Sequence, residues 1–276
     1  MVLASCNLTK ISYGLAFLLL LFPAFSFAAS TARIAIVIDD IGYRKSDAAA
    51  IKLDGNFTYS IVPFAPLTRK FAHAAHANNK EVMAHIPMEA SRNNHLLGKG
   101  AITTNMSKDQ LVRQLKLAIS NVPFAQGINN HMGSKFTTQP QPVHWVMEQL
   151  AQSNLYFLDS KTSANSVGES VALKFGLQTG HRHIFLDNEL DQLSLERQFD
   201  RLIRIAQKHH NAIAIAHPHP ETIAFLSTIQ SKLNQLGIEL VPLSEILPYT
   251  TKVARAKRLA PAAQSQNPYQ SAALAK

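Results

Sequence analysis

Cysteine is almost missing from this sequence. Of 276 residues only Cys6 is one. The body of the chain therefore has no disulfide and no thiol chemistry, and any metal it holds must be bound by His, Asp or Glu. No Gly-rich phosphate loop and no Gly-x-Ser-x-Gly elbow occurs, which removes support for nucleotide binding and serine hydrolysis. Acids are absent from residues 250–276, where Lys252, Arg255, Lys257, Arg258 and Lys276 sit. The formal net charge is +9; these five cations and Lys10 account for six, leaving +3 on the body. That is no basic nucleic-acid-binding domain.

The termini read differently from the body. Lys10 precedes the apolar segment Ile11 to Phe22, Pro23 breaks it, and Ser26-Phe27-Ala28 offers small residues where a signal peptidase reads. The segment is short for a membrane span. The expectation is a signal peptide over 1–28, cleaved after Ala28, and a periplasmic or secreted protein; the alternative is an uncleaved anchor. Residues 29–249 form one domain, ample for a core without disulfides. Residues 250–276, rich in Ala, Gln and Ser, read as a disordered basic tail, either solvated or touching an anionic envelope surface.

The body alternates strand-like and helix-like segments. Strands are expected at Arg33–Ile38, Phe57–Val62, Glu81–His85, Ala125–Asn129, Leu155–Leu158, His183–Leu186, Ala212–Ala216 and Ile238–Val241. Helices are expected at Leu67–Asn78, at Lys108–Asn121 capped by Ser107, from Pro142 to Ser153, from a Ser194 cap to His210, and over Glu221–Leu236. This alternation predicts a parallel α/β fold, and seven or eight repeats predict a (β/α) barrel, seven-stranded and distorted, over an open sheet.

Polar residues recur where these strands end. Asp39-Asp40 close the β-branched run Ile34 to Ile38, and two carboxylates at the end of a buried strand need compensation. His85, Asn129-Asn130-His131, Asp159-Ser160, Asp187-Asn188 and His217 follow other strands. In a parallel barrel these ends converge on one face. Asp40, His85 and His131 are candidate ligands of one divalent cation, since a catalytic zinc takes about three N/O ligands and leaves a position for water. His181-Arg182-His183 reads either as cations near the site mouth or, preferred, as a solvated loop, His209-His210 as a helix end, His73 and His76 as a solvated helix face, and Trp145 as packing.

The chain resembles the polysaccharide deacetylases of the chitin and peptidoglycan type, and more closely their divergent bacterial branch of exported proteins. The resemblance runs from about Arg33 to Leu247. Val37-Ile38-Asp39-Asp40 matches the first motif, Glu81 to His85 the strand leading to the first metal histidine, and Ala214-Ile215-Ala216-His217 the last motif. It implies a barrel of that type, Asp39 as base, Asp40 as metal ligand and His217 as acid. Two departures stand out. The second metal histidine, four residues after the first, is replaced by Glu89, and the Arg-x-Pro-aromatic-Gly motif reads Asn129-Asn130-His131-Met132-Gly133-Ser134. His131 is expected to replace the missing ligand, with Glu89 either a ligand or an orienting residue. Asn130 and Asp159 are expected to support the ligands or bind substrate, Asp159 by orienting His217, and backbone N–H groups near Met132-Gly133 are expected at the oxyanion. The resemblance implies zinc or a similar ion and removal of acetyl groups from a carbohydrate polymer or oligosaccharide. The rival is a non-catalytic barrel that binds a glycan or a cell-envelope protein.

Overall fold

The computed structural model describes residues 31–248. The expected signal peptide and basic tail lie outside them. In chain order the elements are β1 (Arg33–Ile41), α1 (Ala48–Ile51), β2 (Thr58–Ile61), α2 (Thr68–Ala77), β3 (Glu81–Met88), α3 (Lys108–Asn121), β4 (Ala125–Met132), α4 (Pro140–Gln152) and β5 (Tyr156–Asp159). Then come α5 (Gly168–Lys174), β6 (Thr179–His181), β7 (Ile184–Phe185), α6 (Gln192–His209), β8 (Asn211–Ala216), α7 (Pro220–Leu226), α8 (Ile229–Leu236), β9 (Glu239–Leu240) and α9 (Leu243–Ile246).

Every strand pairing is parallel. The sheet runs β6-β5-β4-β3-β2-β1-β8-β7, and β9 joins the start of β1. The two edge strands, β6 and β7, follow one another in sequence with only two residues between them. The sheet therefore curls into a (β/α) barrel whose last seam is not laddered among the described residues. The path holds eight strands, not the expected seven. The extra one is β6, three residues too short to show a hydrophobic pattern.

Two apolar clusters follow the period of two along each strand. Ile34, Ile36 and Ile38 of β1 pack outward with Leu111, Leu115 and Phe199 of the helices. Ala35 and Val37 point the other way, with Met83, Leu158, Ile213, Ile215 and the C-terminal Leu243, Ile246 and Leu247. The second cluster fills the barrel interior, and the segment around α9 plugs its lower end. There the buried carboxylate of Glu81 accepts hydrogen bonds from Tyr156 Oη (2.8 Å), Thr58 Oγ1 (3.2 Å) and the backbone N–H of Ser244. Burial raises its pKa, and these donors act against the rise. The lower end is thus closed and structural, which leaves the carboxyl ends of the strands as the open face.

The expected Ser107 cap holds, while other helix boundaries differ from expectation. The Ser107–Gln110 capping box opens α3. The N-cap of α6 is Asp191, whose carboxylate accepts from Ser194 N–H, so the helix begins before the expected Ser194 cap. The segment 221–236 is two helices, parted at Ser227–Thr228, and α4 starts at Pro140.

Candidate active site

Adjacent strand residues point to opposite faces, so Asp39 and Asp40 should not meet in one site. They do because Asp40 is left-handed, with φ of 59°, and because the pairing of β1 with β2 shifts register between Ile38 and Ile41. The bulge swings the Asp40 carboxylate back over the barrel mouth. Asp39 stays on the interior parity of Ala35 and Val37 and is buried. His85 stands on β3, directly beside Asn129 in the ladder of β4, and His131 follows two residues on, hence on the same face.

The three candidate ligands converge. Asp40 Oδ1 is 2.9 Å from His131 Nδ1 and 3.2 Å from His85 Nε2. The two ring nitrogens are 3.1 Å apart. Asp40 Oδ1 is buried yet has no well-directed hydrogen bond among the described residues. Three lone-pair donors facing one point, one an orphaned carboxylate oxygen, fit a divalent cation, because a single ion can reach all three at roughly 2.0–2.2 Å. Among the described residues no other such His/Cys/Asp/Glu group occurs. Burial would raise the Asp40 carboxyl, but the imidazoles of His131 and His85 hold it well below the usual carboxylate range. Burial would lower the His85 imidazole, but Asp39, Asp40 and Asn129 raise it. The field that favours a proton on His85 equally favours a metal cation in its place.

Asp39 lies outside the triangle: Oδ2 is 3.6 Å from His85 Nε2. Both its oxygens accept from Asn129 Nδ2, at 2.8 and 3.1 Å. Burial raises its pKa, partly offset by His85 and His217. Across the mouth, at the end of β8, His217 Nδ1 is 3.0 Å from Asp187 Oδ1. The other Asp187 oxygen accepts from His217 N–H (2.6 Å) and Thr222 Oγ1 (3.0 Å). Burial would lower the His217 pKa, but Asp187 first and Asp39 next push it up to about 9.

The partner of His217 is Asp187, not Asp159. Asp159 is fully buried under its own loop, accepting from the N–H groups of Lys161 and Glu169 and from Ser166 Oγ. It does so because it falls on the outward parity of β5. Glu89 is likewise away from the triangle: Oε2 accepts from Thr104 N–H and Oγ1, and Oε1 pairs with Lys135 Nζ at 2.6 Å. Asn130 braces the loops, donating to Met132 O and accepting from Ser160 N–H. Met132 and Gly133 turn the chain at the site's edge with φ of 56° and 85°.

Sequence reading named Asp187 and Asn129 only as polar strand ends, and gave Phe185 no role. Arg182 is no solvated loop residue: it donates to Ser160 O and Lys161 O and lies 3.7 Å over the Phe185 ring, which stacks near His217. For Asp187 the available signal was its place directly after a strand.

Relatives extend these observations. A model of the family described as divergent polysaccharide deacetylase matches residues 36–247. An uncharacterised protein of Escherichia coli K12, YibQ, is 37% identical over 216 residues, covering 78% of this chain and 67% of its own. An uncharacterised protein of Haemophilus influenzae is 39% identical over 207 residues, covering 75% of this chain and 73% of its own. The crystal structure of an uncharacterised Agrobacterium tumefaciens protein, ATU2773, superimposes with a TM-score of 0.76 at 24% identity, over 80% of this chain and 91% of that one. It shares the fold.

Proposed function

The chain belongs to the divergent polysaccharide deacetylase family, and on that premise we propose that it is a metal-dependent hydrolase that removes acetyl groups from an N-acetylated glycan of the cell envelope. One observation carries this reading: three convergent candidate ligands of a cation, a buried carboxylate beside them and a histidine paired with Asp187 share one barrel mouth. The leader-like sequence before Ala28 supports the envelope as its place.

Asp40, His85 and His131 would hold the cation, zinc by its N/O preference. Bound there, it would acidify a water and polarise the acetamide carbonyl. Asp39, whose burial makes it a better base than a free carboxylate, takes the proton of the attacking water. His217, held charged by Asp187, gives its Nε2 proton to the leaving amine nitrogen. The products are acetate and the free amino sugar. The test is acetate release from N-acetylglucosamine oligosaccharides by zinc-loaded protein, against a chelated control. Glycan binding with no acetate release in the loaded protein would favour the non-catalytic barrel.

Asp187 sets the charge of His217, which has a measurable pH signature. The raised pKa means the His217–Asp187 pair stabilises the fold fully below about pH 6.5 and loses that contribution as pH rises through about 9. NMR titration of the metal-free protein should place the His217 midpoint near 9. In Asp187→Asn it should fall toward the ordinary histidine value of about 6.5. The alkaline limb of any hydrolysis should move down with it. An unmoved midpoint would remove Asp187 from this role.

Two exposed aromatics support a carbohydrate ligand. Tyr43 is 46% and Phe64 37% exposed, in the loops that follow β1 and β2. The loop after β3 gives way to both. A Cβ at Gly98 would lie 2.8 Å from the Tyr43 hydroxyl, and one at Gly100 2.8 Å from the Phe64 ring. Both glycines have positive φ. Asp40 is close enough to help raise the Tyr43 pKa, after burial. Aromatic faces held in place at a site mouth suit the C–H face of a pyranose. Tyr43→Ala and Phe64→Ala should each raise KM for an oligosaccharide about threefold to tenfold with kcat nearly unchanged. An unchanged KM in both variants would exclude these rings from the glycan path.

A further inference from the structure

Asn129 is fully buried at the centre of the site, and each polar atom of its side chain is engaged. Its Oδ1 accepts from Ser60 Oγ at 2.7 Å and lies 2.6 Å from His85 Nδ1. Its Nδ2 donates to both oxygens of Asp39. The orientation of the amide is determined by these neighbours. Turned over, it would set Oδ1 against the Asp39 carboxylate, oxygen to oxygen. With Oδ1 facing His85, the proton of that bond belongs on Nδ1. The lone pair is then on Nε2, which points at Asp40 Oδ1 and His131 Nδ1. One side chain thus touches a metal-ligand candidate on one side and the base candidate on the other.

We propose that Asn129 is a positioning residue that fixes both the ring and tautomer of His85 for metal binding and the carboxylate of Asp39 for proton abstraction. This rests on the metal-dependent reading of the site. The physical reason is the parity of β4: Asn129 lies level with His85 across the ladder, and Asp39 enters from β1 on the same interior face. Residues that orient a ligating imidazole through its second nitrogen typically change metal affinity by about 10–100-fold when removed. Here the same group also steadies a second functional residue. Its replacements should therefore separate the two effects.

The experiment measures zinc affinity by competition with a chromophoric chelator, the His85 Nδ1–H resonance by 15N NMR of zinc-loaded protein, and acetate release from N-acetylglucosamine oligosaccharides. Asn129→Ala should lower zinc affinity about 10–100-fold, and the protected Nδ1–H signal should vanish. Asn129→Asp keeps an acceptor for His85 but sets a second carboxylate against Asp39. Its zinc affinity should stay within about threefold of wild type or rise, while hydrolysis falls at least about tenfold. A merely structural amide would lower the melting temperature in both variants and produce no such split. Wild-type zinc affinity in Asn129→Ala, or wild-type hydrolysis in Asn129→Asp, would overturn the proposal. Should Asn129→Ala not fold, the isosteric Asn129→Asp decides alone. If wild type binds zinc yet releases no acetate, the deacetylase reading falls, and the zinc and NMR measurements still decide the role of Asn129 toward His85.

Discussion

Asp39→Asn should leave the cation bound and reduce hydrolysis by about 10²–10⁴-fold, the usual worth of a positioned general base. Asp39 supplies no atom to the Asp40–His85–His131 triangle, and its nearer oxygen is 3.6 Å from His85 Nε2. Its partner is the Asn129 amide, so an asparagine at position 39 can turn its own oxygen toward Asn129 and keep one hydrogen bond. The fold should survive, and zinc affinity should change by less than about tenfold, within the range of an outer-shell effect. The lost quantity is basicity alone, because an amide cannot accept the water's proton near neutral pH. Zinc titration beside acetate-release kinetics checks this. Loss of zinc in Asp39→Asn would make Asp39 a ligand and leave the base unassigned.

The second large effect is expected at His131. His131→Ala should weaken zinc binding by more than about a hundredfold, beyond the cost of losing a group that only orients a ligand, because two ligands are too few for a catalytic site. The histidine is partly exposed at the rim, so its truncation opens no core cavity, and the melting temperature of the metal-free protein should barely move. Glu89→Gln is the matched control. Glu89 spends both oxygens on Thr104 and Lys135, and its ion pair is largely exposed on the lysine side, worth less than about 1 kcal/mol. That variant should keep its zinc. Metal lost in Glu89→Gln and kept in His131→Ala would exchange the two residues' roles.

Sequence reading reached His131 only by inferring that it replaces a missing ligand, and it left Glu89 open beside it. Four residues after His85 is the place where the resembled deacetylases carry their second histidine, and spacing alone makes Glu89 a fair ligand candidate. Only the pairing of β3 with β4, which sets Pro87 against His131 and His85 against Asn129, brings His131 to the mouth. The same holds for acid orientation. Asp159 and Asp187 both end strands, and nothing in their local sequence ranks one above the other. Strand parity turns Asp159 outward under the loop of Ser166, while the residues after β7 run beside β8 and bring Asp187 to His217.

What the sequence determined by itself is whatever is written in short-range pattern. Short, uninterrupted β-branched runs such as Ile34 to Ile38 read as strands buried on both faces, and their alternation with amphipathic helices argues for parallel α/β architecture. Polar residues at the ends of those runs named the face where chemistry sits. The tertiary structure decided what depends on register and backbone hand. These are the eighth strand, too short to carry a period, the left-handed turn at Asp40 that brings two adjacent carboxylates to one site, and the Asn129 amide shared between His85 and Asp39. Each of these is a contact across the sheet or a single dihedral angle. Hydrophobic periodicity encodes neither, because it reports only which face of an element is dry.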